Sequence, residues 1–185
     1  MTRKAGACSR NLLLFSGLCL WAGLLSAAPP PPKIGDPSPA FTLQTLDGKS
    51  VTSESLKGKT VLLDFWATWC APCRQALPEL KSLSRKNAGH SLVVISVSVD
   101  EDRAAVADFV QKSGMDWLQA WDPQGKVTNG IFGINDFPNY VLIDAKGKIA
   151  YRQRGWAPMS SAALLDQAVN RALETECKPS ADKVC

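Results

Sequence analysis

Two cysteines separated by two residues, Cys70 and Cys73, are the side chains of this sequence best suited to chemistry. They lie between an apolar run, Val61 to Trp66, and a segment with helical periodicity. At a helix start, unpartnered backbone N–H groups and the helix dipole stabilise a thiolate. The spacing therefore predicts a pair that alternates between dithiol and disulfide, in which Cys70 attacks a partner disulfide and Cys73 resolves the mixed disulfide.

The neighbours of the two cysteines favour this interpretation. Pro72 falls in the first turn of the predicted helix, where its missing N–H has no intrahelical partner to lose. Arg74 adds a positive charge close to the cysteines. Asp64 is the one acid in the apolar run. A carboxyl in such a strand is expected to have a raised pKa, so it could exchange protons near neutral pH.

The sequence supports three other uses of the cysteine pair less well. A zinc site would need a second ligand pair, and neither His90 nor Cys177 with Cys185 has ordinary zinc spacing. A purely structural disulfide across two residues would stabilise the chain little. A peroxide-reducing Cys70 would need the Pro-x-x-x-Thr-x-x-Cys arrangement of peroxiredoxins, which is absent. We expect no metal and no cofactor.

The elements that must position these residues alternate between strands and helices. This alternation predicts a three-layer α/β sandwich in a single domain. The predicted elements are a hairpin over 40–51, a strand over 61–66, a helix from about 71 to 86, a strand over 92–99, a short helix after Asp102, a hairpin over 140–151, and a last helix capped near Ser160.

The span from Ile34 to Leu173 resembles the exported TlpA/ResA group of thioredoxin-like thiol–disulfide oxidoreductases. The matching pieces are Gly35-Asp36, Pro39-Ala40-Phe41, Leu46 to Lys49, Leu56 to Lys59, the WCAPC pentad (69–73), Pro78, Phe132-Gly133-Ile134 and Phe137-Pro138. The resemblance implies a thioredoxin-like α/β fold, with a central mixed sheet, helices on both faces and an N-terminal β-hairpin extension. It also implies cysteine-containing protein substrates.

The resemblance further assigns roles to individual residues. Asp64 matches the buried acid beneath the disulfide, which accepts the proton of Cys73 during resolution. Pro138 matches the cis-proline that faces the cysteines, beside which the backbone of Phe137 pairs with an extended substrate. The substrate-binding residues implied in this way are Trp69, Ala71, Pro72, Phe137 and Pro138.

Three positions depart from the family pattern. Ala76 stands where many members carry a glutamate, which weakens any assignment of an apocytochrome c substrate. Asp136 and Phe137 replace small and aliphatic residues before the proline, and Asn139 replaces a common threonine. These changes predict a more acidic and more aromatic substrate rim.

The termini have different compositions from the rest. Residues 1–28 combine a basic start, an apolar core and a small-residue end, which predicts a signal peptide or an N-terminal membrane anchor. Residues 29–33 predict a stiff proline-rich linker, and residues 34–174 the thioredoxin-like domain. Residues 175–185 form a polar tail in which Cys177 and Cys185 could close a structural disulfide, remain free or pair with another chain.

The composition limits the function classes. The formal net charge is +4, but three basic residues lie in the first ten positions, so the rest is nearly neutral and gives no reason to expect a nucleic-acid partner. The sequence predicts an exported enzyme, periplasmic if bacterial, that reduces protein disulfides and draws electrons from a membrane thiol donor. The alternatives are a dithiol oxidase or isomerase, and a binding module for cysteine-containing or unfolded chains without turnover.

Overall fold

The computed structural model describes residues 29–176, in which seven strands form one sheet and three α-helices pack against it. The predictions for residues 1–28 and for Cys177 and Cys185 fall outside this range. The elements are β1 Thr42–Thr45, β2 Ser50–Thr52, β3 Thr60–Trp66, α1 Ala71–Lys86, β4 Leu92–Ser98, α2 Arg103–Lys112, β5 Leu118–Trp121, β6 Asn139–Ile143, β7 Ile149–Arg154 and α3 Ser161–Glu176. In this part of the chain, no helix is both long and apolar enough to cross a membrane.

The sheet is mixed, with β3 near its centre. The strand order is β2-β1-β5-β4-β3-β6-β7. β3 runs parallel to β4 and antiparallel to β6, and β4 runs parallel to β5. All seven residues of β3 are buried, as its almost continuous apolar run predicts. The expected mixed sheet and its N-terminal hairpin, β1 with β2, are confirmed.

The two faces of the sheet are covered differently. Alternate residues of β3 point to opposite faces. On one face, Leu62 packs with residues of α1 and α3, while Trp66 packs with residues of α1 and α2. On the other face, Leu63 and Phe65 pack against the hairpin, a 3-10 turn at Glu54–Leu56, and the loop that follows β5.

In the described residues all three α-helices lie on one face, and the opposite face carries the 3-10 helix Glu54–Leu56. The loop between β5 and β6 takes the place of an opposite layer. Gly125 and Gly133 in this loop have positive φ, which interrupts a helix. The Asp122 carboxylate accepts hydrogen bonds from the backbone N–H groups of Lys126, Val127 and Thr128, so it holds the loop as consecutive turns.

The predicted elements match the observed ones closely except at β5. The helix predicted over 71–86 has those bounds, and α3 begins directly after Ser160. The four residues of β5 were not predicted as a strand, because this short segment follows Trp117 without a clear alternation. β5 joins the hairpin to the parallel strands, since β1 pairs with it.

The end of the proline-rich segment is docked on the domain. Pro32 is buried, and its carbonyl accepts a hydrogen bond from Arg152 Nη1, while Nη2 of the same side chain donates to the Phe132 carbonyl at 2.9 Å. A Cβ added to Gly133 would lie 2.3 Å from Pro31 Cγ, so the proline ring rests directly on this glycine. The linker is thus part of the folded surface at these two prolines.

Candidate active site

The two cysteines lie at the start of α1, where the sequence predicted them. Cys70 is the N-cap residue, Cys73 is in the first turn, and their sulfurs form a disulfide. The Cys70 sulfur accepts a hydrogen bond from the Cys73 backbone N–H at 3.3 Å. The Cys73 N–H has no partner within the helix, and it points at Cys70 Sγ instead. In the reduced protein the same N–H would stabilise the Cys70 thiolate.

A buried carboxylate holds the loop that leads into these cysteines. Asp100, two residues beyond the end of β4, accepts hydrogen bonds from the Thr68 backbone N–H at 2.9 Å and from Thr68 Oγ1 at 2.6 Å. Ser98 Oγ donates to the same carboxylate at 2.7 Å. Arg74 Nη1 donates to the Thr68 carbonyl at 3.2 Å. The position of Cys70 is therefore tied to β4 as well as to α1.

An aromatic pair stands at the surface beside the disulfide. Trp69 is 65% exposed although it neighbours Cys70, which is 5% exposed. The Trp69 ring meets the half-buried Phe137 ring edge to face, with 6.0 Å between centroids. Exposed aromatic surface next to a redox pair is suited to contact with another polypeptide.

The remaining predicted substrate residues flank this pair. Ala71 is exposed and Pro72 is half-buried. The Phe137–Pro138 peptide bond is cis, as the resemblance implies, and the Pro138 carbonyl accepts a hydrogen bond from the Gly155 N–H at 2.8 Å. Asp136 forms an ion pair with Arg154, so the rim is less acidic than the sequence suggested.

Asp64 is buried in the centre of the sheet, with a side chain that has a specific hydrogen-bond partner. Ser96 Oγ donates to Asp64 Oδ2 at 2.7 Å, and Trp117 Nε1 donates to Ser96 Oγ at 2.8 Å. Burial raises the pKa of Asp64 to about 7, and the hydrogen bond from Ser96 opposes that rise. The carboxyl can therefore gain or lose a proton near neutral pH.

The packing places Asp64 under α1. Asp64 lies between Leu62 and Trp66 on one face of β3. Trp66 packs in one cluster with Cys73, and Leu62 packs in another with Leu80 of the same helix. The segment of α1 that starts at Cys73 thus crosses the strand above the carboxyl. This arrangement suits proton exchange between Cys73 and Asp64.

A polar row crosses the sheet at the level of Asp64. Its register partners are Ser96 on β4 and Tyr140 on β6, and Ser96 is in turn paired with Gln119 on β5. Directly paired residues point to the same face. Burial and the Asp64 charge raise the pKa of Tyr140, so this phenol stays neutral. Within residues 29–176, its hydroxyl has no hydrogen-bond partner.

Sequence reasoning missed Ser96, Trp117 and Asp100. The signal for Ser96 was its place in LVVISVSV, where small polar residues alternate with apolar ones and so share a face. In the sequence, Asp100 is one of three acids, Asp100-Glu101-Asp102, that precede the predicted short helix. In the structure, Asp102 caps α2 by accepting hydrogen bonds from Ala104 N and Ala105 N, whereas Asp100 binds Thr68.

Comparison with known proteins agrees with the fold and the site. The redoxin family profile (Redoxin) matches residues 33–167. The thiol-disulfide oxidoreductase ResA of Bacillus thuringiensis (strain Al Hakam) is 36% identical over 117 residues, which cover 63% of this chain and 67% of that protein.

Two solved structures are also similar. One is a putative thiol:disulfide interchange protein DsbE from Chlorobium tepidum, with 31% identity and a TM-score of 0.71 over 77% of this chain and 99% of that one. The other is a putative protein disulfide isomerase from Bacteroides thetaiotaomicron, with 31% identity and a TM-score of 0.70 over 77% of this chain and 91% of that one.

The fold, the disulfide at a helix start and these relatives together define a thiol–disulfide oxidoreductase. The chain belongs to the redoxin family, and within it to the thioredoxin-like ResA/TlpA type.

Proposed function

We propose that this enzyme reduces disulfides of protein substrates outside the cytoplasm, with Cys70 as nucleophile, Cys73 as resolving thiol and Asp64 as proton acceptor. The observation that carries the proposal is the buried carboxyl under α1, whose pKa of about 7 suits it to take up a thiol proton at neutral pH. The exposed Trp69 and the adjacent Phe137 offer a surface for a polypeptide substrate.

The first half-reaction opens the substrate disulfide. The Cys70 thiolate attacks one sulfur of that disulfide, and the other sulfur leaves as a thiolate that takes a proton from solvent. The product is a mixed disulfide between Cys70 and the substrate. We assign the binding of the substrate segment to Trp69, Ala71, Pro72, Phe137 and Pro138. The assignment is supported by the position of Ala71 and Pro72 at the start of α1 and by the contact between the Trp69 and Phe137 rings.

The second half-reaction releases the substrate. The Cys73 thiol transfers its proton to the ionised Asp64, and the resulting thiolate attacks Cys70 Sγ. The Cys70–Cys73 disulfide forms and the substrate sulfur leaves as a thiolate. Two electrons have then passed from the enzyme dithiol to the substrate, and Asp64 returns its proton to solvent.

The enzyme must be reduced again after each turnover. We assign this step to a dithiol donor in the membrane, because the leader predicted over 1–28 would place the domain beyond the cytoplasmic reductants. The location would be the periplasm if the source is bacterial. Cell fractionation of a tagged full-length chain tests this placement, and a cytoplasmic pool of the mature enzyme would contradict it.

Reduction of insulin disulfides by dithiothreitol is the direct test of activity. We expect the wild-type protein to accelerate the reaction and the Cys70→Ser variant to leave it at the uncatalysed rate. Equal rates with the two proteins would overturn the proposal. A Cys73→Ser variant should accumulate mixed disulfides through Cys70, and mass spectrometry of these adducts would identify the substrates.

Two other functions use the same site and make different predictions. A dithiol oxidase or isomerase would show a more oxidising reduction potential than a thioredoxin-type reductase, which equilibration with glutathione measures. A binding module without turnover would hold substrate on the exposed aromatic pair, and its Cys73→Ser variant would trap no covalent adduct.

A further inference from the structure

A directed chain of hydrogen bonds ends on the carboxyl under the redox pair. Trp117 Nε1 donates to Ser96 Oγ at 2.8 Å, and Ser96 Oγ donates to Asp64 Oδ2 at 2.7 Å. Ser96 and Asp64 are both buried and lie opposite each other on adjacent strands. The chain joins the segment just before β5 to β4 and β3 beneath the catalytic helix.

The chemistry of the three groups fixes the direction of this chain. An indole N–H can only donate, so Trp117 occupies a lone pair of Ser96 Oγ. The single hydroxyl proton of Ser96 is then directed to Asp64 Oδ2. A proton on Oδ2 would leave that hydroxyl proton without its acceptor in a buried site, which is unfavourable. Oδ1 carries no such constraint.

We propose that Ser96, oriented by Trp117, is a positioning residue that reserves Oδ2 of Asp64 as an acceptor and leaves Oδ1 to take the proton of Cys73. The inference rests on the proposed role of Asp64 in resolution. In that step the S–H bond of Cys73 breaks and an O–H bond forms at Oδ1. The electron pair left on Cys73 Sγ attacks Cys70 Sγ, the Cys70–substrate S–S bond breaks, and the substrate sulfur leaves as a thiolate.

The other groups around the carboxyl fit this assignment. Tyr140 faces it from β6 and stays neutral because burial and the Asp64 charge both raise its pKa. Cys73 is the titratable group that α1 brings over it, and α3 contributes apolar side chains, Leu165 and Val169, to this face. The hydroxyl of Ser96 is therefore the polar contact through which the sheet tunes Asp64.

The test is a pH titration of the Asp64 carboxyl carbon by NMR in the oxidised protein, in which the two cysteines do not titrate. Loss of a hydrogen bond to the ionised form in Ser96→Ala should raise the Asp64 midpoint by about one pH unit. Ser98→Ala is the matched control, because Ser98 is an equally buried serine on the same face of β4 that donates to Asp100 instead. It should leave the Asp64 midpoint unchanged.

A second pair of variants tests the orienting indole. Trp117→Phe keeps an aromatic ring but removes the donor to Ser96, and it should raise the Asp64 midpoint by less than Ser96→Ala does. Trp121→Phe, at the end of β5, removes an indole donor to the Asp100 carbonyl and should leave the Asp64 midpoint unchanged. Ser96→Thr, which retains a hydroxyl, should restore a near wild-type midpoint.

The rate of substrate reduction tests the role of Ser96 independently of the NMR titration. If the Asp64 midpoint rises by about one pH unit, the ionised fraction at pH 7 falls on the order of fivefold, and resolution in Ser96→Ala should slow by that factor. The rate should recover at higher pH, whereas a structural defect would lower it at every pH.

Unchanged Asp64 titration in both Ser96→Ala and Trp117→Phe would overturn the inference. If Ser96→Ala fails to fold, Trp117→Phe alone decides it. Failure of the proposed reductase activity is separate, because the carboxyl titration needs no substrate. A shifted titration in a protein without activity would refute the reductase and leave the hydrogen-bond chain intact.

Discussion

Asp64 is a residue whose catalytic usefulness and structural cost have the same origin. Its side chain is 2% exposed, and burial is the main cause of its raised pKa. Burial makes the carboxyl a proton acceptor at neutral pH, but it also penalises the ionised form in the folded state. The free energy of unfolding is therefore expected to be lower at pH values at which the Asp64 carboxyl has lost its proton.

Replacement of Asp64 by asparagine should therefore stabilise the oxidised protein in a pH-dependent way. The pKa of Asp64 is about 7 in the folded protein, against an ordinary value of 3.8 for an aspartate. Between these values the folded state binds more protons than the unfolded state, so the free energy of unfolding falls as pH rises. The loss amounts to about 4 kcal/mol once pH exceeds 7.

Urea unfolding of oxidised wild type and Asp64→Asn at pH 4 and pH 8 measures this effect. The variant should gain little at pH 4 and up to about 4 kcal/mol at pH 8. Asp116→Asn, at an exposed pair with Arg85, is the control and should show no comparable difference. An Asp64→Asn gain that is equal at the two pH values would contradict the explanation.

Tyr140 carries a second buried polar group, and its replacement is expected to affect stability at most slightly. Its ring packs edge to face against Trp156, but its hydroxyl has no hydrogen-bond partner among residues 29–176. Removal of an unsatisfied buried hydroxyl in Tyr140→Phe should leave the free energy of unfolding unchanged or raise it by up to about 1 kcal/mol. Thermal unfolding checks this, and a clear loss of stability would reveal a partner for the hydroxyl.

At the scale of elements, the loop from Ala67 to Cys70 depends on the carboxylate of Asp100. This buried side chain accepts two hydrogen bonds from the half-buried Thr68 and one from the buried Ser98. Asp102, two residues later, caps an exposed helix start. The two acids are only two positions apart in the sequence but serve different elements.

The variants Asp100→Ala and Asp102→Ala test this difference, because one removes the support of the loop before Cys70 and the other removes the N-cap of α2. Asp100→Ala should cost about 3 kcal/mol of stability and lower the rate of insulin reduction, because the donors on Thr68 and Ser98 lose their acceptor and the loop before Cys70 is released. Asp102→Ala should cost about 1 kcal/mol, typical of an N-cap, with little change in rate. Denaturant unfolding and the insulin assay measure both. Equal effects of the two variants on the rate would exclude the loop contact as the cause.

The sequence determined the elements and the redox pair better than the contacts around Asp64. The bounds of α1 follow from local signals, namely a cysteine N-cap, Pro72 in the first turn and the apolar period. The chain from Trp117 to Asp64 depends on the pairing of β4 with β3 and on an indole that reaches across from the segment before β5. Such contacts are set by strand register and side-chain direction, which one sequence does not reveal.

At the scale of the whole molecule, the two faces of the sheet carry different parts of the structure. The three helices and the polar row share one face, while the other carries the loop between β5 and β6 that leads to Pro138. The end of the linker docks on this loop through Pro31 and Pro32. The chain that precedes the domain therefore leaves it from a fixed point on the loop that carries the cis-proline.

The contact between Pro31 and Gly133 can be isolated by a double-mutant cycle. Gly133 has a φ of +66°, so Gly133→Ala should cost about 1 kcal/mol in any form of the chain from backbone strain alone. An added Cβ would also lie 2.3 Å from Pro31 Cγ, which the linker can relieve only by leaving its site. We expect Gly133→Ala to destabilise a chain that starts at Pro29 by about 1 kcal/mol more than a chain that starts at Lys33. Urea unfolding of the four proteins gives this coupling directly, and equal losses in the two backgrounds would mean that the prolines do not rest on Gly133 in solution.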